Sequence, residues 1–238
     1  MLPETDGAIK IALLPDPVKL EHEGGYPPPA IRERISETAM TLEQISCAEL
    51  LSGCLLERGF NVLCVPGGFA PHTVAKLGDD GKRLVRQFVH NGGGFVGVCA
   101  GAFVGIAFEL LPLDYRDVDH EGRDESPCRL AFTSLGQQLL GASSGEVTVR
   151  YANGPLFRIH PSSDDAEPSV FTLATFETDL RGGGGWMQGS SAVVYGRHGC
   201  GAVVLASPHL EDGVDERTRT PFRNLCRIAH TPACVERM

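Results

Sequence analysis

Residues 95–111 read FVGVCAGAFVGIAFELL. An apolar run at 95–98 meets Cys99, and a run of small and apolar residues follows it. Gly97-Val98-Cys99-Ala100-Gly101 has the spacing G-x-C-x-G, the thiol form of a nucleophile elbow. In an elbow the nucleophile sits on a strained turn from strand to helix, which lifts its side chain clear of the sheet. The backbone folds so tightly that side chains two residues to either side would collide, so glycine stands at both places. The N-terminus of the following helix adds partial positive charge behind the sulfur and favours a reactive thiolate. The plainer reading is a buried cysteine in a glycine-rich turn; the flanking strand and helix patterns favour the elbow.

Working outward, the chain alternates strand and helix signals. Residues 8–14, AIKIALL, read as a buried strand stopped at Pro15-Asp16-Pro17. Residues 47–57 carry helical spacing, 61–65 a strand, and Pro66-Gly67-Gly68 a turn. In the next segment Leu84, Val85, Phe88 and Val89 form one apolar stripe, with Asp79 placed to cap its start and Asn91-Gly92 its end. Strand-like segments return at 129–133, 146–151, 170–174, 191–195 and 202–206, and an amphipathic helix closes the pattern with Phe222, Leu225, Cys226 and Ala229 on one face. Such alternation predicts an α/β fold with a mainly parallel sheet and helices on both faces. Residues 1–238 are read as a single domain, with loop excursions near 114–126, 160–168 and 181–189.

The composition narrows the function. The chain of 238 residues is 42% hydrophobic and 21% charged, with a net charge of −9. A disordered chain would be poorer in apolar residues. A nucleic-acid binder needs a basic face, which this balance scarcely supplies. No apolar stretch approaches the roughly 18–20 residues that span a bilayer, and the acidic N-terminus lacks the pattern of a secretory signal. Neither nucleic acid nor membrane is therefore an expected partner. The eight cysteines form no C-x-x-C pair, and most are read as reduced, small and buried, which suits a cytoplasmic protein.

A thiol nucleophile needs a base and a group to orient it. Of the eight histidines, His209 stands apart, because it follows the buried strand 202–206 at a strand end, where open α/β sheets place their sites. Glu211, two residues on, falls on the same side in an extended or turn geometry, where a carboxylate can hold the imidazole in one tautomer. His72, just after the Pro-Gly-Gly turn, reads as a helix-start residue. The turn at Val65-Pro66-Gly67-Gly68 also ends a strand. Glycines there let backbone N–H groups face a developing oxyanion; Gly68 is one candidate donor and Ala100 the other. Asp119-His120-Glu121 offers metal-type ligands in a row, but adjacent residues rarely converge on one ion and a solvated loop is favoured; no metal or organic cofactor is expected.

These residues bring a resemblance. The segments VLCVPGG, FVHNGGGFVGVCAGAF, YANGPLF and SAVVYGRHGCGAVVLASPHLE make the chain resemble the class I glutamine amidotransferase-like superfamily, and more closely the biotin-protein ligase N-terminal domain family in its free-standing form. The resemblance implies a flavodoxin-like three-layer sandwich. By position it implies Cys99 as nucleophile, His209 as base, Glu211 as third member, and Gly68 and Ala100 at the oxyanion hole. Gly67, Tyr151, Asn153 and Gly154 are expected near the substrate. Typical glutamine amidotransferases continue G-x-C-x-G-x-Q, whereas Phe103 stands here at the glutamine position, which counts against glutamine as substrate. There is no biotin-ligase catalytic domain, so ligation of biotin is not implied.

Two readings follow. The first is a cysteine-dependent, amidotransferase-like hydrolase of a small amide or acyl substrate. The second is a non-catalytic module on the same fold that binds a metabolite or a protein. A homo-oligomer and a partner enzyme both stay open as assemblies.

Overall fold

The computed structural model describes residues 8–18, 31, 40–116, 126–160, 169–179, 185–212 and 216–230. Along the chain run β1 (Ile9–Leu13), β2 (Met40–Gln44), α1 (Cys47–Leu51), α2 (Cys54–Glu57), β3 (Val62–Val65), α3 (Ala70–His90), β4 (Gly94–Val98) and α4 (Ala100–Ala107). Then come β5 (Leu113–Tyr115), β6 (Ser126–Phe132), α5 (Ser134–Leu140), β7 (Glu146–Tyr151), β8 (Phe157–Ile159), β9 (Val170–Phe176), β10 (Ser191–His198), β11 (Gly201–Ala206) and α6 (Glu216–Ala229).

Nine strands form one sheet in the order β2-β1-β3-β4-β11-β10-β9-β6-β7. The first five are parallel to one another. Their order is the flavodoxin-like one, with the chain reversing direction across the sheet beside β1. The other four continue the sheet antiparallel. The strand–helix alternation predicts the parallel block; the antiparallel half comes from hairpin-type connections such as the β10–β11 turn at Gly199.

The layers follow from the period-two alternation of strand side chains. Val62, Cys64, Val96, Val98 and Val204 pack on one face with Phe222, Leu225 and Cys226 of α6. Leu63, Val65, Phe95, Val203 and Leu205 face the other way, against Leu77, Val85 and Phe88 of α3 and Val104 of α4. Strands buried on both faces read as unbroken apolar runs, as β3, β4 and β11 do. The result is the three-layer α/β sandwich.

Local signals held with differences. Helix α3 begins at Ala70, earlier than the expected cap at Asp79, because two helical pieces meet at a kink at Gly78 (φ 56°, ψ −159°). The second piece starts beside Asp79, where the apolar stripe begins. Part of the expected excursion at 114–126 instead forms β5, paired antiparallel with β8. Residues 117–125, with Asp119-His120-Glu121, and much of the other two excursions lie outside the described residues. Cys47, Cys54, Cys64, Cys99, Cys128 and Cys226 are free and buried, as expected of most of the cysteines, while Cys200 is disulfide-bonded. No helix among the described residues is long and apolar enough to cross a membrane.

The tightest packing is at the elbow. A side chain on Gly97 would meet the Gly101 carbonyl, and one on Gly101 would meet the Val65 carbonyl of the neighbouring strand. Gly101→Ala is therefore expected to cost about 2–3 kcal/mol in denaturant unfolding, the scale of overpacking against a backbone that cannot yield. Gly59, left-handed at φ +64° with open space around it, provides the contrast. Gly59→Ala should cost about 1 kcal/mol, from the backbone conformation alone. Equal losses at the two sites would contradict the steric account.

Candidate active site

Cys99 sits where β4 turns into α4, with φ 51° and ψ −106°. A non-glycine residue in that region carries strain on the order of 1–3 kcal/mol, and it persists only where the surroundings over-determine it. They do so here. The Cys99 N–H donates to the Ala206 carbonyl of β11 (2.8 Å), and the Cys99 carbonyl accepts the Ala102 N–H (3.0 Å). Its Sγ–H donates to the Ala152 carbonyl (3.3 Å), which comes from the segment after β7.

His209 follows β11 after Ser207-Pro208. Its N–H donates to the Arg150 carbonyl (2.8 Å), an isolated bridge that ties it to β7. Its Nδ1 lies 2.8 Å from Oε1 of Glu211, which a single 3-10 turn at Leu210–Asp212 brings round beneath the ring. The Cys99 side chain also acts on the ring and raises its affinity for a proton. Both His209 and Glu211 are buried. Gly67 lies flat against the imidazole: a Cβ there would stand 2.6 Å from Cε1. Burial alone would lower the affinity of the ring for its proton. The hydrogen bonds to Cys99 and Glu211 and the charges they carry outweigh it and raise the pKa to about 10. A protonated ring donates from both nitrogens, so it can serve the carboxylate and the sulfur together.

Gly68 and Ala100, the two expected oxyanion donors, both face the cleft that opens over Cys99. Ala100 is the first residue of α4, where the helix leaves backbone N–H groups without intrahelical acceptors. The Gly68 loop is held from below by a residue that the sequence analysis passes over. Asp16, at the end of β1 and 4% exposed, accepts the Phe69 N–H at Oδ2 (2.7 Å) and the Val18 N–H at Oδ1 (2.9 Å). His72, in the first turn of α3, brings its Nδ1 within 3.2 Å of the same carboxylate. The available signal was a carboxylate between two prolines at the end of the first parallel strand.

The cleft measures about 890 Å³ and runs between the first turns of α3 and the outer face of α4. Phe103 stands on that face, edge-on to Tyr115 with ring centres 4.9 Å apart. Asn153 lines the cleft near Cys99 in a left-handed conformation (φ 57°). Tyr151 and Gly154 take different places. Tyr151 is fully buried, with its hydroxyl donating to the Gly154 carbonyl (2.9 Å) and its ring edge-on to Phe176. Gly154 packs on Ser207, where a side chain would meet the Ser207 carbonyl. These two residues shape the loop that carries Ala152 and Asn153. The other buried thiols differ from Cys99 in their surroundings: burial pushes Cys128 and Cys226 up to about 12 and Cys64 well above its usual value.

The folded pKa of His209, about 10, lies above the roughly 6.5 of an unfolded histidine. The stability contributed by its proton is therefore complete below pH ~6.5 and is lost as the pH rises through about 10. A titration followed by the His209 Cε1–H resonance is expected to show its midpoint near the upper end of that window. Glu211→Gln should move it towards neutrality. A wild-type midpoint at or below 6.5 would contradict the paired arrangement.

Residues 37–110 match the family described as biotin-protein ligase, N terminal. That segment runs from before β2 through α4 and includes the glycine turn and the elbow, while His209 and Glu211 lie beyond it. Among curated proteins none matches the chain in sequence. Solved structures are similar over nearly the whole chain. PurLQS from Thermotoga maritima shares 14% identity at a TM-score of 0.63, over 93% of this chain and 99% of that one. A glutamine amidotransferase from Thermotoga maritima shares 11% identity at a TM-score of 0.58, over 94% of this chain and 99% of that one. A cold-adapted β-galactosidase from Rahnella sp. R3 shares 15% identity at a TM-score of 0.61, over 92% of this chain and 31% of that one. The chain thus has the class I glutamine amidotransferase-like fold, and its residues 37–110 carry the pattern of the biotin-protein ligase N-terminal family.

Proposed function

We propose that the protein is a cysteine-dependent, amidotransferase-like hydrolase of an amide or related acyl substrate. One observation carries this reading: a strained cysteine at a strand-to-helix turn, electrostatically coupled to a buried histidine that is itself bonded to a buried glutamate, at the foot of an open cleft. His209, whose affinity for a proton is raised, takes the proton of the Cys99 thiol. The Cys99 sulfur attacks the substrate carbonyl, and the oxygen takes up negative charge facing the Gly68 and Ala100 N–H groups. As the C–N bond breaks, His209 passes its proton to the leaving nitrogen, and a thioester remains on Cys99. Water then attacks the thioester carbonyl and gives a proton to His209. The C–S bond breaks, the acid departs, and the resting Cys99–His209 pair is restored. Glu211 holds the ring in place throughout and stabilises its charge. Asp16 holds the Phe69 N–H and so sets the orientation of the loop that presents Gly68.

A second reading, a binding module, draws on Phe103 at the position of the family glutamine and on the same fold forming 31% of a β-galactosidase chain. Alkylation separates the two. With iodoacetamide at pH 6–7 and mass-spectrometric mapping, Cys99 is expected to react faster than the other free cysteines, and His209→Ala to slow it by at least tenfold. Cys99→Ala should abolish release of the acid from any amide that the wild type turns over. Alkylation of Cys99 at the rate of the buried thiols, indifferent to His209, would favour the binding module.

A further inference from the structure

The cleft above Cys99 is walled almost entirely by carbon. Phe69, Pro71 and Val74 form one side, from the start of α3, and Phe103 and Ile106 form the other, from α4; Tyr115 closes on Phe103. Among the described residues that line it there is no charged side chain. A ligand with a free amino group and a free carboxylate, such as glutamine, would leave two ions in this space without partners, which costs several kcal/mol each if they are desolvated. An apolar group gains by the same surroundings. The volume is in the range of small-molecule sites.

We infer that the substrate is a small uncharged carboxamide with an apolar group of aromatic or branched-alkyl size, which packs between α3 and α4 against Phe103. This inference rests on the hydrolase reading and goes beyond it in naming the substrate class. Phe103 is then the residue that selects an apolar group over an amino-acid zwitterion.

The test uses chloroacetamide probes on the whole chain. Each forms a C–S bond with Cys99 and expels chloride, and the rate is read by intact mass and peptide mapping. The probes are chloroacetamide, N-benzyl-chloroacetamide, and a chloroacetamide whose N-alkyl group carries the zwitterionic α-carbon of an amino acid. The benzyl probe should label Cys99 at least tenfold faster than chloroacetamide, with saturation. Phe103→Gln should lower the benzyl-to-parent ratio by about tenfold, and Val74→Gln, on the opposite wall, should lower it too. The wild-type series stands by itself if a variant fails to fold. Selective labelling of Cys99 with a benzyl ratio near one, or with preference for the zwitterionic probe, overturns this inference and leaves the hydrolase reading intact. Labelling of Cys99 no faster than of the buried thiols by every probe overturns both.

Discussion

The backbone of Gly101 lies against the carbonyl of Val65, closer than any side chain would allow. That contact presses the first turn of α4 onto the end of β3. It places the elbow of β4 beside the glycine turn of the adjacent strand, so that Cys99 and Gly68 share one cleft. A separation of one further methyl group would move the nucleophile away from the loop that faces it. The strained Cys99 backbone is supported by the same packing, together with the hydrogen bond from Cys99 to Ala206 of β11. Strain of this kind is retained where a tight fold enforces it, and here it holds a sulfur above the sheet edge.

The histidine is held with equal closeness by parts of the chain far apart in sequence. Arg150 fixes its backbone, Glu211 its ring, and Gly67 its face. Burial of an imidazole would ordinarily expel its proton. The Cys99 and Glu211 side chains reverse that tendency and raise the affinity of the ring for its proton. The antiparallel half of the sheet matters here, since β7 brings both the Arg150 carbonyl and the Ala152–Asn153 segment to the cleft. A five-stranded parallel sheet alone would present the elbow and the histidine but would leave the cleft without that side.

Beneath the opposite wall, Asp16 ties the end of β1 to the loop at Gly68 and Phe69. Four parallel strands thus contribute at their C-terminal ends: β1 through Asp16, β3 through Gly67 and Gly68, β4 through Cys99, and β11 through His209. This is where open α/β sheets place their ligands, because helix starts and strand ends converge there. The walls that rise from this base are apolar, and Phe103 and Tyr115 meet edge to edge across them. The polar groups at the base and the apolar walls come from different residues.

Much of this was legible before any coordinates. Unbroken apolar runs mark β3, β4 and β11, since strands buried on both faces have no solvent side to alternate with. The glycines around Cys99 mark the elbow, because a local steric demand leaves a local trace. His209 and Glu211 were legible for the same reason, being two residues apart at a strand end. Local pattern could not reveal the Arg150 bridge, the Ala152 carbonyl at the sulfur, the role of Asp16, or the burial of Tyr151 away from the cleft. It also missed the edge strand β2, the short pair β5–β8 and the first turns of α3. Each of these depends on which segments become neighbours, and a sequence states periodicity and chemistry along the chain but not distances across it. The sequence by itself determined the parallel block of the sheet and the candidate reactive groups. The tertiary structure alone decided their protonation, their support and the apolar shape of the cleft, because those properties arise from desolvation and close contact between residues far apart in the chain.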